Sequence, residues 1–299
     1  MHGQTLVRRL LFSGKRCSGV EVENAAGAVS QINARLVVMC AGALMSPSIL
    51  LRSGIGPRAE LDKLGVDCVA DRPGVGTHRS DHPALGVLCD VQAPAVIDFD
   101  QPIIQTILRY TGQNSDKRND LQIEQISFAG RPGGPPQFLL APVLEYQYGR
   151  GELTLTSADP HAAPIVSNQF CEDDRDARRL AECMLDTLAF TRTGALADMI
   201  TGVRFPDPNR GQTIEDLEVL CRRFSGSGYH PCGTAKMGVP EDVMAVVDGG
   251  GRCFEVEQLV VADASIMPAV PRANTNLTCL MIGERIGEWL RAQPSEYGI

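Results

Sequence analysis

The chain has 299 residues, 43% of them hydrophobic and 21% charged, which excludes intrinsic disorder and provides for an ample buried core. At roughly 150 residues per domain, two domains are expected. A net charge of −8, from 28 Lys+Arg against 36 Asp+Glu, argues against general affinity for nucleic acid or anionic membranes. The longest apolar stretch, Leu36 to Met45, is too short to span a bilayer, and Met1-His2-Gly3-Gln4 leads into no apolar signal region. The ten cysteines are scattered without a CxxC, so neither a zinc ribbon nor a dithiol redox pair is expected. They read as reduced thiols of a cytoplasmic protein.

The chain opens with alternating strands, Leu6–Phe12 and Cys17–Val22, joined by a turn at Ser13-Gly14-Lys15. The apolar run Leu36–Cys40 suits a strand buried on both faces. Ser46-Pro47 then reads as a helix start, Ser as N-cap and Pro in the first position, and Gly54 as its end. From about Ala84 to Leu220 the pattern changes. Gln137–Val143 and Glu152–Thr156 read as strands of a separate antiparallel sheet, and Asp173–Met199 as one amphipathic helix. Asn114–Asp120 and Arg131–Pro136 read as loops, and Thr213 with Asp216 as the cap of a helix running to Phe224. The C-terminal part returns to the first style. Leu259–Ala262 is a buried strand ending in Asp263, and Asn276–Leu290 a helix whose Gly283 and Gly287 give a flat face for packing. The expected fold is α/β (α+β): a partial Rossmann-like domain from residues 1–83 and 221–299, with an antiparallel-sheet domain, 84–220, inserted between.

Several blocks then carry chemistry. They are Gly42–Pro57 (GALMSPSILLRSGIGP), Gly74-Val75-Gly76 with Asp81-His82-Pro83, and Tyr229–Gly238 (YHPCGTAKMG). Near the end stand Val261–Pro268 (VADASIMP), Asn274-Thr275-Asn276 and Met281–Arg285. In order and spacing they resemble the glucose–methanol–choline (GMC) oxidoreductases, in the portion that comes after the glycine-rich loop gripping the FAD pyrophosphate. No GxGxxG occurs. Gly54-Ile55-Gly56-Pro57-Arg58-Ala59 comes after a helix, and Pro57 removes an amide, so it is no phosphate loop. The chain thus reads as the C-terminal portion of such an enzyme, with a separate N-terminal flavin-binding half or a homo-oligomer as the expected partner.

The resemblance implies FAD as cofactor and oxidation of the CH–OH group of a small alcohol by hydride transfer to the flavin. It makes His230 the base, because a neutral imidazole suits removal of a hydroxyl proton near neutrality. Asn274 takes the place of its polar partner, although Asn is also a favoured helix N-cap. Val7, Ala41, Gly42, Asp263, Ala264 and Thr275 are the implied cofactor contacts. Ser46 reads as a cap, and Gly226 and Gly228 as loop glycines. The blocks leave alternatives: a hydroxynitrile-lyase-like enzyme with structural flavin, or an inactive fragment or interaction subunit. His78 and His82 form an HxxxH pair, but Gly76 and Pro83 flank it and no third ligand is near in sequence, so no metal is expected. Glu145, Tyr146 and Tyr148 fit either an ammonium cage or a strand edge with exposed polar groups.

Overall fold

The computed structural model describes residues 1–92, 100–127, 136–208 and 213–299; the loop expected at Arg131–Pro136 lies outside them except for Pro136. The chain forms two compact units. The first comprises Met1–Ser80, Arg150–Asn168 and His230–Ile299, the second Asp81–Gly149 and Gln169–Tyr229. These bounds differ from the expected breaks at 83/84 and 220/221, and residues 150–168 return to the first unit. They do so as a hairpin, Glu152–Thr154 against Ile165–Ser167, rather than as part of the middle sheet. Leu153, 2% exposed, packs in the first unit's core with Ile49, Leu50 and Val75.

In the first unit, Thr5–Ser13, Arg16–Asn24 and Val29–Asn33 form an antiparallel three-stranded sheet. Gly14, at φ +60°, makes the first turn. Val37–Met39 pairs in parallel with Leu259–Val261, in register from Val37 opposite Leu259 to Met39 opposite Val261. The expectation of a strand buried on both faces is corrected here: Val38 is 39% exposed. Among the described residues Val37–Met39 has one strand neighbour, and nothing packs over Val38's face closely enough to bury it.

The helix after this strand also starts earlier than its sequence suggests, spanning Gly42–Arg52 with Ala41 as N-cap. Ser46 is no cap, and Pro47 lies inside the helix. The C-terminal helix runs Asn276–Ala292 and buries Ile282 and Ile286 on one face. Its Gly283 and Gly287 pack against nothing: a Cβ at either would meet no described atom within 4 Å. The core gathers Leu50, Ile55, Leu61, Leu259, Val261 and Ile266, all at 2% exposure or less. Each such aliphatic side chain contributes about 1.5–3 kcal/mol on burial.

The second unit is a seven-stranded antiparallel sheet. Its main order is Ile200–Phe205, Val87–Val91, Gln137–Leu144, Leu121–Ile126, Ile104–Tyr110, and Pro83–Ala84 pairs with both Gln137–Leu144 and Gly226–Ser227. Alternation sends Leu121, Ile123, Leu140 and Leu144 to one face. There they pack with Ala177, Leu180, Ala181 and Met184 of the helix Asp174–Phe190, and with Leu217 and Cys221 of the helix Ile214–Phe224. The latter opens with the expected capping box between Thr213 and Asp216. The single helix expected over Asp173–Met199 is two, Asp174–Phe190 and Gly194–Met199. The break is made by threonines that bond back, Thr191 Oγ1 to the Leu188 carbonyl at 2.7 Å and Thr193 Oγ1 to that of Phe190 at 2.9 Å, with Gly194 next at φ +52°. No helix among the described residues is long and apolar enough to cross a membrane.

Candidate functional site

Parallel strands end together, so the segments leaving their C-terminal ends are brought side by side. The Ala262 amide donates to the Met39 carbonyl at 2.8 Å, extending the pair Val37–Met39 and Leu259–Val261 by one step. Beyond it, the Asp263 carboxylate, 8% exposed, ties the two strand ends. Its Oδ2 accepts from the Gly42 amide at 2.9 Å and from Ser46 Oγ at 2.6 Å, and its Oδ1 accepts from the Ser265 amide at 2.8 Å. Ser46 Oγ in turn accepts from the Ala41 amide at 3.2 Å. Four of the six expected cofactor contacts, Ala41, Gly42, Asp263 and Ala264, therefore converge although some 220 residues separate the two pairs in sequence. Ala41 is exposed, and a Cβ on Gly42, at φ +79°, would meet nothing within 4 Å. Ser265 Oγ is buried with no hydrogen-bond partner among the described residues.

The same turn carries the segment just after His230. Gly233, Ala235 and Met237 donate from their amides to the carbonyls of Ala264, Ser265 and Ile266 at 3.2, 2.8 and 2.7 Å. Cys232 and Ser80 exchange both backbone hydrogen bonds, at 2.9 and 3.0 Å. Gly233 is required where it stands: φ is +83°, and a Cβ would fall 2.7 Å from the His78 carbonyl. The half-buried His78 ring is held below its ordinary pKa, first by burial and then by Lys236 and Arg150.

Asn274 Nδ2 stands 3.3 Å from His230 Nε2. With the Asn274 amide nitrogen as donor, Nε2 is the acceptor of the pair. Asn274 is not the N-cap of the last helix. Thr275 is, with Asn276 the first helical residue. Thr275 is 9% exposed and makes no side-chain cap, so the first-turn amides of Asn276–Ala292 keep the positive end of the helix dipole without a side-chain acceptor from it.

Val7 belongs to a different region of the first unit. It lies in the strand Thr5–Ser13 opposite Val22, and its neighbour Arg8 accepts through its carbonyl from Arg52 Nε at 2.9 Å. Arg52 ends the helix that Gly42 begins, and eleven residues at 1.5 Å each separate those ends by about 16 Å.

In the second unit, the residues offered as an ammonium cage are otherwise engaged. Glu145 is fully buried 3.6 Å from His82 Nε2, and burial, with a smaller push from Glu124 against Arg109, raises its pKa to about 7. Tyr148 is covered by the Arg175 guanidinium, 4.0 Å from the ring centroid, and Tyr146 by Lys117 at 5.5 Å. The strand-edge alternative is inverted too, because Glu145 and Gln147 are the buried members and the tyrosines the half-buried ones. Gly226 pairs with Ala84 in the sheet, and the Gly228 amide donates to the His82 carbonyl at 2.8 Å. Two connections had no signal in local sequence: the bond from Ser46 to Asp263, and one from the buried Thr234 hydroxyl to the Ala43 carbonyl at 2.6 Å.

Residues 1–84 and 147–283 match the N- and C-terminal models described as GMC oxidoreductase. The chain belongs to the GMC oxidoreductase family. It is 36% identical to a 5-(hydroxymethyl)furfural oxidase of Methylovorus sp., over 97% of this chain and 57% of that protein. It is 34% identical to the choline oxidase of Arthrobacter globiformis, over 95% of this chain and 54% of the relative. Two solved structures share the fold. Pyridoxine 4-oxidase from Mesorbium loti superposes with a TM-score of 0.85 at 24% identity, over 96% of this chain and 57% of that one. An Aspergillus oryzae formate oxidase variant does so with a TM-score of 0.88 at 19% identity, over 98% and 61%. The chain spans just over half the length of the curated relatives it matches.

Proposed function

We propose that this chain supplies the catalytic base and part of the cofactor site of an FAD-dependent oxidoreductase that oxidises the CH–OH group of a small alcohol. The observation that carries the proposal is the 3.3 Å approach of Asn274 Nδ2 to His230 Nε2. It supports an acceptor nitrogen on His230 beside an amide able to hold the substrate oxygen. His230 accepts the hydroxyl proton at Nε2, and Asn274 orients the oxygen and steadies the ring as it becomes charged. The donor set fits FAD. The open space at Gly42, the exposed Ala41 and the first-turn amides after Thr275 suit an anionic, extended ligand, and Ser265 Oγ is an unpaired polar group beside Ala264. Ala41, Gly42, Asp263, Ala264 and Thr275 would hold it, with Val7 serving its far end. When bound, FAD supplies the acceptor for the carbon-bound hydrogen.

The relatives differ in substrate, and among the described residues of the second unit the faces of Tyr146 and Tyr148 meet Lys117 and Arg175 rather than a site for a quaternary ammonium. The substrate is proposed only as an alcohol. The experiment is anaerobic addition of primary alcohols to the chain reconstituted with FAD and the glycine-rich segment of a GMC relative. Bleaching of the flavin absorbance supports oxidation. Turnover of a cyanohydrin with the flavin spectrum unchanged would make it a lyase.

A further inference from the structure

Pro47 occupies the sixth position of the helix Gly42–Arg52, past the first turn where a proline is tolerated without loss. A residue there should donate its amide to the carbonyl four residues back, that of Ala43. Proline has no amide hydrogen, and Ala43 is 5% exposed, so its carbonyl would be left without a donor away from water. The structure fills that gap from elsewhere. Thr234, fully buried, donates its hydroxyl to the Ala43 carbonyl at 2.6 Å across 191 residues of sequence. Thr234 lies four residues after His230, in the segment whose amides at Gly233 and Ala235 pair with Ala264 and Ser265. Its own carbonyl accepts from the Gly76 amide at 2.8 Å.

We propose that Pro47 and Thr234 act as one positioning device: the proline withholds a helix hydrogen bond so that the threonine, and with it the His230 segment, is locked to the first turn of the helix at Gly42. The proposal rests on the reading of His230 as the base. The two neighbouring serines support a division of labour in the same stretch. Ser46 Oγ goes to Asp263 at 2.6 Å, and Ser48 Oγ bonds back to the Leu44 carbonyl at 2.7 Å. Of the three residues Ser46-Pro47-Ser48, one ties the helix to the strand end, one vacates an acceptor for Thr234, and one serves the helix itself. A helix without Pro47 would satisfy Ala43 internally, and Thr234 would have no vacancy to fill.

The test is a variant cycle on the chain itself, without cofactor. Thr234→Val keeps the shape and removes the donor; it should lower the folding equilibrium constant about 10- to 100-fold, the cost of an unmet buried acceptor. In a Pro47→Ala background the new amide serves Ala43, and Thr234→Val should then cost less than about 3-fold. The second readout is the imidazole ¹⁵N signals of His230, identified among the five histidines by loss in His230→Gln. They should shift in Thr234→Val, stay shifted in the double variant although its stability is restored, and remain in place in Thr234→Ser. Equal costs of Thr234→Val with and without Pro47 would refute the shared carbonyl. An unmoved His230 signal in the stable double variant would refute positioning, while leaving the role of His230 to the flavin-reduction measurement. Should Thr234→Val alone fail to fold, the double variant and Thr234→Ser still decide both points.

Discussion

Replacing Asp263 by alanine removes the acceptor for three donors: the Gly42 amide, Ser46 Oγ and the Ser265 amide. Ser46 and Ser265 are fully buried, so water cannot stand in for the carboxylate there, whereas half-buried Gly42 can be rehydrated. Each buried donor left unmet costs about 1–3 kcal/mol, and a carboxylate near the start of a helix adds about 0.3–1 kcal/mol. Asp263→Ala should therefore destabilise the first unit by about 2–7 kcal/mol, a large share of the roughly 5–15 kcal/mol that holds a domain. Asp263→Asn keeps one carbonyl acceptor and should cost about half as much. Urea titration monitored by fluorescence and far-UV circular dichroism reads both, with the midpoint shifting at nearly constant slope. A loss under about 1 kcal/mol for Asp263→Ala would refute this linkage, because it would mean that the strand end and the helix start are not joined through this carboxylate.

Glu145 gives a prediction in pH. Its folded pKa, about 7, lies above the ordinary glutamate value of 4.5, so the folded state binds the proton more tightly than the unfolded state does. Stability of the second unit should then fall as pH rises from about 4.5 to about 7 and level off above that, by up to about 3 kcal/mol. Glu145→Gln should flatten this dependence; a variant with the same slope as the parent would assign the titration to other groups. Among the cysteines Cys40 is exposed, Cys68 and Cys279 are intermediate and seven are buried. A soluble maleimide under native conditions should label Cys40 first, as read by peptide mass mapping, and preferential labelling of Cys232 or Cys253 would contradict the packing described for the first unit.

Much of the architecture was legible because it is written in local pattern. The alternation of Leu6–Phe12 placed the first strand to within one residue at either end, and Thr213 with Asp216 marked a helix start through a capping box that the backbone uses. Where local pattern misread the chain, tertiary partners decided. Ser46-Pro47 looks like a helix start, yet the serine hydroxyl is taken by Asp263 and the proline is accommodated by Thr234, both far off in sequence. Residues 150–168 carry strand-like composition with no mark of the unit they join; packing of Leu153 with Leu50 and Val75, and backbone hydrogen bonds from Gly151 to Arg79 and from Leu153 to Gly76, assign them to the first unit. At the site, the motifs singled out His230 and Asn274 through a family resemblance, but no spacing rule for residues 44 apart predicts a 3.3 Å approach. Burial of Glu145 was illegible for a similar reason: its partner His82 comes from a different strand end.

That His230 takes the proton is tested most directly by stopped-flow measurement of flavin absorbance under anaerobic conditions. The chain is reconstituted with FAD and the glycine-rich segment of a GMC relative, then mixed with a saturating alcohol. His230→Ala should slow flavin reduction about 10²- to 10⁴-fold, the usual scale for loss of a general base, while the flavin spectrum before mixing stays that of the parent. Reduction within about twofold of the parent rate would contradict the assignment and leave His230 a structural residue.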